Sequence, residues 1–220
     1  AYGLRARVNL VMNKWAEAAS DAQKAISLHD GQPYSIAEVS KPTFSDIDAA
    51  SWMWGVLVAE TDRVVTTGIC NFPSHMGSLN YGYASVGAWR TISKSLYNSI
   101  PATDVRKGWW LNENLESPLI TKNAAYAPWA AVIEDGMQYA NVKFGVPNDN
   151  MTNLVADADW TLMRYEEMIL VQAEGLARSG KEAEAKALLE GWVKANRNPE
   201  YTCVGDIVDA IWMQRRIELW

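Results

Sequence analysis

The hydrophobic pattern is plainest over residues 160–196, WTLMRYEEMILVQAEGLARSGKEAEAKALLEGWVKAN. Leu162, Tyr165, Ile169, Ala173 and Leu176 recur at steps of three and four, which collects them on one face of a helix. Ser179-Gly180 ends that helix, because Gly180 can enter the left-handed conformation that turns the chain back. Asp157 or Asp159 is placed to cap its start by accepting orphan backbone N–H bonds. A second helix follows, with Ala183, Ala185, Ala187, Leu188, Leu189, Trp192 and Ala195 as its inner side, until Pro199 stops the pattern. The segment therefore predicts a helical hairpin with alanines where two backbones cross closely.

A fainter copy opens the chain. Setting Ala6 on Ala173 also sets Asn13 on Gly180, Lys14 on Lys181, Ala16 on Ala183, Glu17 on Glu184 and Ala18 on Ala185, without a gap. Residues 1–28 thus predict a first hairpin, with Leu4, Val8 and Val11 on one helix and Trp15, Ala18, Ala22 and Ile26 on the next. Alanine-rich helix-turn-helix units of this kind mark tetratricopeptide-type repeats, which bury their apolar faces by stacking. The two copies lie far apart in sequence, so the expectation is a repeat scaffold interrupted by a long insertion.

Within that insertion, residues 31–48 read as turn and loop. Residues 52–65 predict a strand buried on both faces, with Trp52 and Trp54 in the core. Residues 71–89, NFPSHMGSLNYGYASVGAW, interleave Gly, Ser, Asn and Pro with Phe72, His75, Tyr81, Tyr83 and Trp89, and have no period. Residues 108–129 are similar, with Tyr126 and Trp129 around Pro128. Residues 148–159, NDNMTNLVADAD, are rich in oxygen donors but lack the Gly and bidentate Glu of an EF-hand loop, so helix capping is preferred to calcium binding. The chain closes on an amphipathic helix over residues 206–220, with Ile207, Ile211 and Trp212 inward. A first helix without a cap and a last one ending on Trp220 suggest a fragment of a longer protein. The predicted class is mainly α, with tetratricopeptide-like hairpins, a long irregular aromatic-rich insertion and a little β structure. The expected organisation is a single domain over 1–220, comprising the hairpin at 1–28, the insertion at 29–159 and a hairpin plus helix at 160–220.

Composition adds one unusual feature. Eleven Trp and nine Tyr stand beside three Phe, so the aromatic content favours rings with a polar handle that suit half-wet binding faces. A net charge of -6 with no Lys/Arg cluster argues against nucleic acid. There is no apolar run long enough to span a membrane. Cys70 and Cys203 stand in no metal-ligand spacing, and two buried thiols or one disulfide are both open.

Catalytic signatures are missing. His29 and His75 are the only histidines, and neither lies in a nucleophile or HExxH motif. Phosphate-cradling glycine loops are absent, and no cofactor or metal is expected. A glycosidase would need only two carboxylates, but Glu166 and Glu167 have Arg164 beside them as an ordinary salt-bridge partner, and Glu134-Asp135 precedes a turn.

At Arg164 the segment RYEEMILVQAEGLARSG resembles the RY-x-E-hydrophobic-AE-A signature of the SusD-like (RagB/SusD) outer-membrane nutrient-binding lipoproteins. WAEAASDAQKAI is similar to their tetratricopeptide helix and SWMWGV to the strand that follows it. Asp104-Val105-Arg106 resembles their D-x-R, Asn141-Val142-Lys143-Phe144 their N-x-KF and QRRIELW their ERR-x-EL. Family members are usually about twice this length and begin with a signal peptide and lipobox cysteine, so a lipid anchor is expected on a missing N-terminal segment. The resemblance implies a non-catalytic, surface-exposed binder at the cell outer membrane. Such a protein delivers oligosaccharides, or in some members peptides, to a TonB-dependent SusC-like transporter. Arg164, Tyr165, Glu174, Arg215 and Arg216 lie in these motifs but are expected to be structural, because Arg and Glu on packed helices satisfy one another and nearby carbonyls.

Loop character places the sugar-stacking rings at Tyr81, Tyr83, Trp89 and Trp129, with Phe72 and Asn80 beside them. Two other classes stay open: a tetratricopeptide-like adaptor that grips a protein partner, and an acidic glycosidase.

Overall fold

The computed structural model describes residues 1–62, 89–146, 149 and 158–220. In chain order its helices are α1 (Tyr2–Val11), α2 (Trp15–Ser27), α3 (Ile36–Val39), α4 (Lys94–Ser99), α5 (Pro118–Thr121), α6 (Tyr165–Arg178), α7 (Glu182–Asn196) and α8 (Ile207–Glu218). Tight 3-10 turns occupy Val105–Trp109 and Ala127–Val132, and β1 (Trp52–Val56) pairs with β2 (Trp160–Arg164) in a two-stranded ladder. Two compact units result. The first comprises Ala1–Ser35, Ala50–Trp54 and Met163–Trp220; the second comprises Ile36–Ala49 and Gly55–Leu162.

The first unit holds both hairpins in the register read from the sequence. Asn13 and Gly180 turn at φ 59° and 85°. After Asn13 the bonds are Asn13 N to Leu10 O at 3.1 Å and Lys14 N to Asn9 O at 2.9 Å; after Gly180 they are Gly180 N to Ala177 O at 3.1 Å and Lys181 N to Leu176 O at 2.9 Å. These are the same four positions in each copy. Ala6, Ala173, Ala18 and Ala185 are all fully buried. A Cβ on Gly175 would lie 2.5 Å from the Trp15 carbonyl oxygen and 2.8 Å from Ala19 N, so α6 approaches α2 backbone to backbone. One apolar cluster joins Ala6, Ala18, Ala22 and Ala25 to Met163, Met168 and Val171. A larger one joins Ile169, Leu170 and Ala173 to Leu189, Trp192, Val193, Ile207 and Ile211. Burial worth roughly 0.8 kcal/mol per methylene holds these short helices together.

Several expectations are corrected here. The helix of the second hairpin begins at Tyr165; Leu162 lies on β2 and is exposed. Asp159 does not cap that helix, because its carboxylate accepts Ile47 N at 2.8 Å and Val58 N at 2.7 Å. Asp157 lies outside the described residues. On α7 the 3.6-residue period buries Ala185, Leu189, Trp192 and Val193, leaving Ala183, Ala187 and Ala195 exposed. Strand β1 ends at Val56, and Trp52 is buried while Trp54 and Val56, on the same face, are exposed, so that face is covered only at the start of the strand and the expected burial on both sides is not met. On α8, Ile207 and Ile211 are inward but Trp212 is exposed.

The second unit, whose residues fall between the two hairpins in the sequence, is mostly irregular. Its core gathers Leu111, Ile120, Tyr126, Trp129, Met137, Ala140, Val142 and Val146. The D-x-R segment folds on itself: Asp104 accepts Arg106 N at 2.9 Å and the buried guanidinium at 3.0 and 2.7 Å. The N-x-KF segment runs beside residue 43, with Thr43 bridged to Phe144. There the buried Lys143 ammonium lies 5.1 Å from the Trp109 ring centroid and 5.3 Å from that of Phe144.

Candidate functional site

The second unit contains an open cavity of about 570 Å³, lined among others by Tyr97, Lys107, Asn112, Glu116, Lys122 and the buried Trp110. Short capped elements position these groups. Ser93 accepts Leu96 N at 3.3 Å and starts α4, which carries Tyr97. Asp104 starts the 3-10 turn that carries Lys107. Ser117 accepts Leu119 N at 3.1 Å, starting α5, and donates to the Gly108 carbonyl. Asn112 accepts Asn114 N at 2.8 Å and Glu116 N at 2.9 Å, a turn that brings Glu116 back beside it.

Bare backbone forms part of the wall. A Cβ on Gly108 would lie 2.8 Å from Pro118 Cγ and 2.9 Å from Leu119 Cδ1, so any larger residue would make the Pro118 and Leu119 side chains shift.

Cation, ring, amide and acid are thus gathered around one space. Lys107 Nζ donates to Ile100 O at 2.7 Å and sits 5.0 Å from the Tyr97 ring centroid. An ammonium carries three N–H groups, so this bond leaves donors over. Tyr97 and Tyr139 lie 5.2 Å apart between centroids, and burial first, then the neighbouring Tyr139, push the Tyr97 phenol up from its ordinary pKa. At neutral pH Tyr97 is therefore a neutral ring with a hydroxyl that both donates and accepts. Asn112 Nδ2 donates to Glu116 Oε2 at 3.3 Å. Such a set can bond vicinal hydroxyl groups through donors and acceptors alike and offer a ring for C–H contact.

The residues singled out in the sequence are distributed differently. Phe72, Asn80, Tyr81 and Tyr83 lie outside the described residues. Trp89 is half-buried and packs against the core of the second unit, its ring 3.2 Å from where a Gly136 Cβ would stand. Trp129 is 5% exposed, its ring edge-on to Tyr126 at 5.0 Å. A 3-10 turn turns its side chain into the core, so loop character alone misjudged its exposure. Sequence reading missed Tyr97, Lys107, Asn112 and Glu116. The Ser-x-x caps and the Asn112 turn were the available signals.

In the first unit the motif residues Arg164, Glu166 and Glu218 form a buried ion network with Arg197. Arg197 Nε donates to Glu218 Oε2 at 2.9 Å and its Nη2 to Glu166 Oε1 at 3.0 Å, while Arg164 Nη1 donates to Glu218 Oε1 at 2.9 Å. Glu166 also accepts Tyr34 N at 2.7 Å and the Ser51 hydroxyl. Burial pulls the Arg197 pKa down, but Glu218 and Glu166 more than offset it and hold the guanidinium charged. Glu166 thus does pair with Arg164, 3.4 Å from Nη1, but as a buried carboxylate that Arg197, Tyr34 and Ser51 also engage and not as a surface ion-pair partner. Glu174 bonds Arg178 at 2.9 Å and approaches Arg215 at 3.7 Å, while Glu167 bonds Arg7 at 2.6 Å. Cys203 is a buried free thiol, pushed up in pKa chiefly by burial; Cys70 lies outside the described residues. Among the described residues no three His, Cys, Asp or Glu side chains are gathered to hold a metal ion, and no helix is long and apolar enough to cross a membrane.

No protein-family model and no curated protein matches the chain. Solved structures do. A SusD-like carbohydrate binding protein from Bacteroides vulgatus matches at 20% identity and a TM-score of 0.68, over 100% of this chain and 42% of its own. A SusD superfamily protein from Bacteroides thetaiotaomicron matches at 19% and 0.68, over 99% and 46%. Surface glycan-binding protein A from Bacteroides uniformis matches at 16% and 0.61, over 99% and 45%. The chain spans less than half the length of these structures.

Proposed function

We propose that this chain, which has the fold of the SusD-like proteins, binds carbohydrate without transforming it. The observation that carries the reading is the second unit's cavity, where the Tyr97 ring stands among the Lys107 ammonium, the Asn112 amide and the Glu116 carboxylate. Its volume falls in the range of small-ligand clefts, roughly 300–1,000 Å³. Fold alone fixes no function. It adds support here because solved proteins of this fold carry the names carbohydrate binding and surface glycan-binding protein.

The same reading assigns further stacking rings to Tyr81, Tyr83 and Trp89, with Phe72 and Asn80 beside them. Trp129, packed on Tyr126, supports the surface beneath. The protein would act at the cell surface in the outer membrane, held there by a lipid anchor, and pass oligosaccharides to a TonB-dependent SusC-like transporter. Catalysis is disfavoured on physical grounds. Of the two carboxylates that line the cavity, Glu116 faces solvent but Asp104 is buried and engaged by Arg106, so the cavity does not offer the pair of available acids that glycoside hydrolysis needs.

A glycan array of the purified chain tests this. Wild type is expected to retain one polysaccharide class, and the Tyr81→Ala/Trp89→Ala and Tyr97→Ala/Lys107→Met variants to lose it while still unfolding cooperatively, the first at a lower melting temperature because the Trp89 ring packs on the core. Retention of peptides alone would replace the sugar by a peptide ligand, and hydrolysis of a retained glycan would make the protein a glycosidase.

A further inference from the structure

The cavity of the second unit carries an uneven set of charges. Its lining brings two ammoniums, Lys107 and Lys122, and two carboxylates, Asp104 and Glu116, to one space. Asp104 is buried and neutralised by Arg106, whose Nη2 lies 2.7 Å from its Oδ2. Two cations therefore share the cavity with one uncancelled acid, in a chain whose net charge is -6.

The other lysines show that this surplus is local. Five lysines fall in the second unit. Lys41 is engaged by Asp149 at 2.6 Å and Lys94 by Glu113 at 3.0 Å, while Lys143 is buried beside the Phe44, Trp109 and Phe144 rings. The remaining two both line the cavity, and among the described residues neither forms an ion pair. Lys107 is a positioned cation: the Ile100 carbonyl fixes its Nζ near the Tyr97 ring, and two N–H groups are left over. Lys122 follows the last turn of α5, which its backbone N–H closes on Pro118 O at 3.1 Å, and its side chain is exposed. Glu116, bonded to the Asn112 amide, keeps acceptor sites for hydroxyl groups.

We propose, resting on the carbohydrate reading of this cavity, that its ligand is an acidic glycan: Lys107 and Lys122 hold an anionic group on the sugar, a ring carboxylate or a sulfate ester, while a sugar face lies on Tyr97 and hydroxyls donate to Glu116. A neutral glycan would leave both ammoniums without a counter-charge. Glu116 does not oppose the assignment, because every acidic sugar unit carries hydroxyls beside its anionic group and a carboxylate is a strong acceptor for them. The negative net charge of the chain repels a polyanion at long range, so capture comes from these short-range contacts and not from a general basic surface.

The test is affinity electrophoresis of the whole chain in gels cast with polygalacturonate, alginate or hyaluronan, each beside its carboxyl-reduced form, and with dextran sulfate beside dextran. At least one uronate polymer is expected to retard the wild type, with affinity about tenfold or more above that for its carboxyl-reduced form and falling as NaCl rises from about 0.05 to 0.5 M. Lys122→Gln, at an exposed side chain, is expected to weaken that retention about tenfold and to flatten its salt dependence, whereas Lys24→Gln, on the exposed side of α2, leaves both unchanged. Retention by dextran sulfate and not by dextran, with no uronate retained, would support the proposal with a sulfate ester as the anion. Equal retention of an acidic polymer and its carboxyl-reduced form, or retention by neutral polymers alone, would overturn the acidic ligand and leave carbohydrate binding standing. Equal weakening by Lys24→Gln would overturn it as well, and no retention in any gel would sink both readings.

Discussion

Arg197 and Glu218 are joined in the interior of the first unit, Nε to Oε2 at 2.9 Å, with neither side chain exposed to water. Arg197 also donates to the Tyr34 carbonyl at 2.7 Å and to Glu166, so one guanidinium ties the loop after α2 to the starts and ends of the later helices. Removing one partner leaves the others charged and unpaired in a medium that solvates charge poorly. Arg197→Met is expected to destabilise the protein by about 3–5 kcal/mol in chemical denaturation, and Glu218→Gln by a smaller amount because it keeps an acceptor. An unchanged unfolding midpoint for Arg197→Met would show that the network contributes little.

The two turns differ in what they tolerate. Gly180 sits at φ 85° with no atom within 4 Å of a would-be Cβ, so Gly180→Ala has only conformational strain to overcome and is expected to lose about 1 kcal/mol. Asn13 already tolerates the left-handed region, and Asn13→Gly is expected to shift stability by less than about 1 kcal/mol. Thermal melts of both single variants check this.

Crowding, not conformation, decides Gly175. Its missing Cβ would meet the Trp15 carbonyl at 2.5 Å, so Gly175→Ala must push α6 off α2 and is expected to cost about 1–3 kcal/mol. Gly191→Ala on α7 serves as control, since no atom lies within 4 Å of its would-be Cβ; there the substitution is expected to stabilise slightly.

Asp21 gives the first unit an acid-side signature. Hydrogen bonding from Arg5, 2.7 Å from Nε to Oδ2, holds its carboxyl below the usual range, against an opposing effect of burial. A depressed carboxylate contributes stability that is present above its unfolded pKa of about 4 and is lost as pH falls through the folded value. Asp21→Asn is therefore expected to lower the melting temperature at pH 7, and the difference from wild type to shrink as pH falls through the depressed pKa of the folded state. A difference that persists undiminished at low pH would contradict the assignment.

Much of this architecture was legible in the chain because helix periodicity is local. The alignment of Asn13 with Gly180 located both turns, and the alanines at 6, 18, 173 and 185 located the crossings. Burial was less legible. Leu4, Val8 and Trp212 look like core residues in a helix pattern but are exposed, because whether an apolar face is covered depends on a neighbour the pattern does not name. Trp54 was misplaced because it shares a strand face with the buried Trp52, and an apolar run does not show how far along that face the cover extends. The cavity was hidden for a different reason. Tyr97, Lys107 and Asn112 come from three separate short elements, and only the folded second unit brings them to one space. Arg197, in no motif, entered the ion network unannounced.

The most direct measurement of the carbohydrate reading is affinity electrophoresis of the purified chain through gels containing the polysaccharide class retained on the array. Wild type is predicted to be retarded in proportion to polysaccharide concentration, with Tyr97→Ala/Lys107→Met migrating as in a gel without polysaccharide and Glu116→Gln intermediate. Equal retardation of wild type and Tyr97→Ala/Lys107→Met would contradict the assignment of the cavity, and wild-type mobility unchanged by every polysaccharide would contradict carbohydrate binding itself.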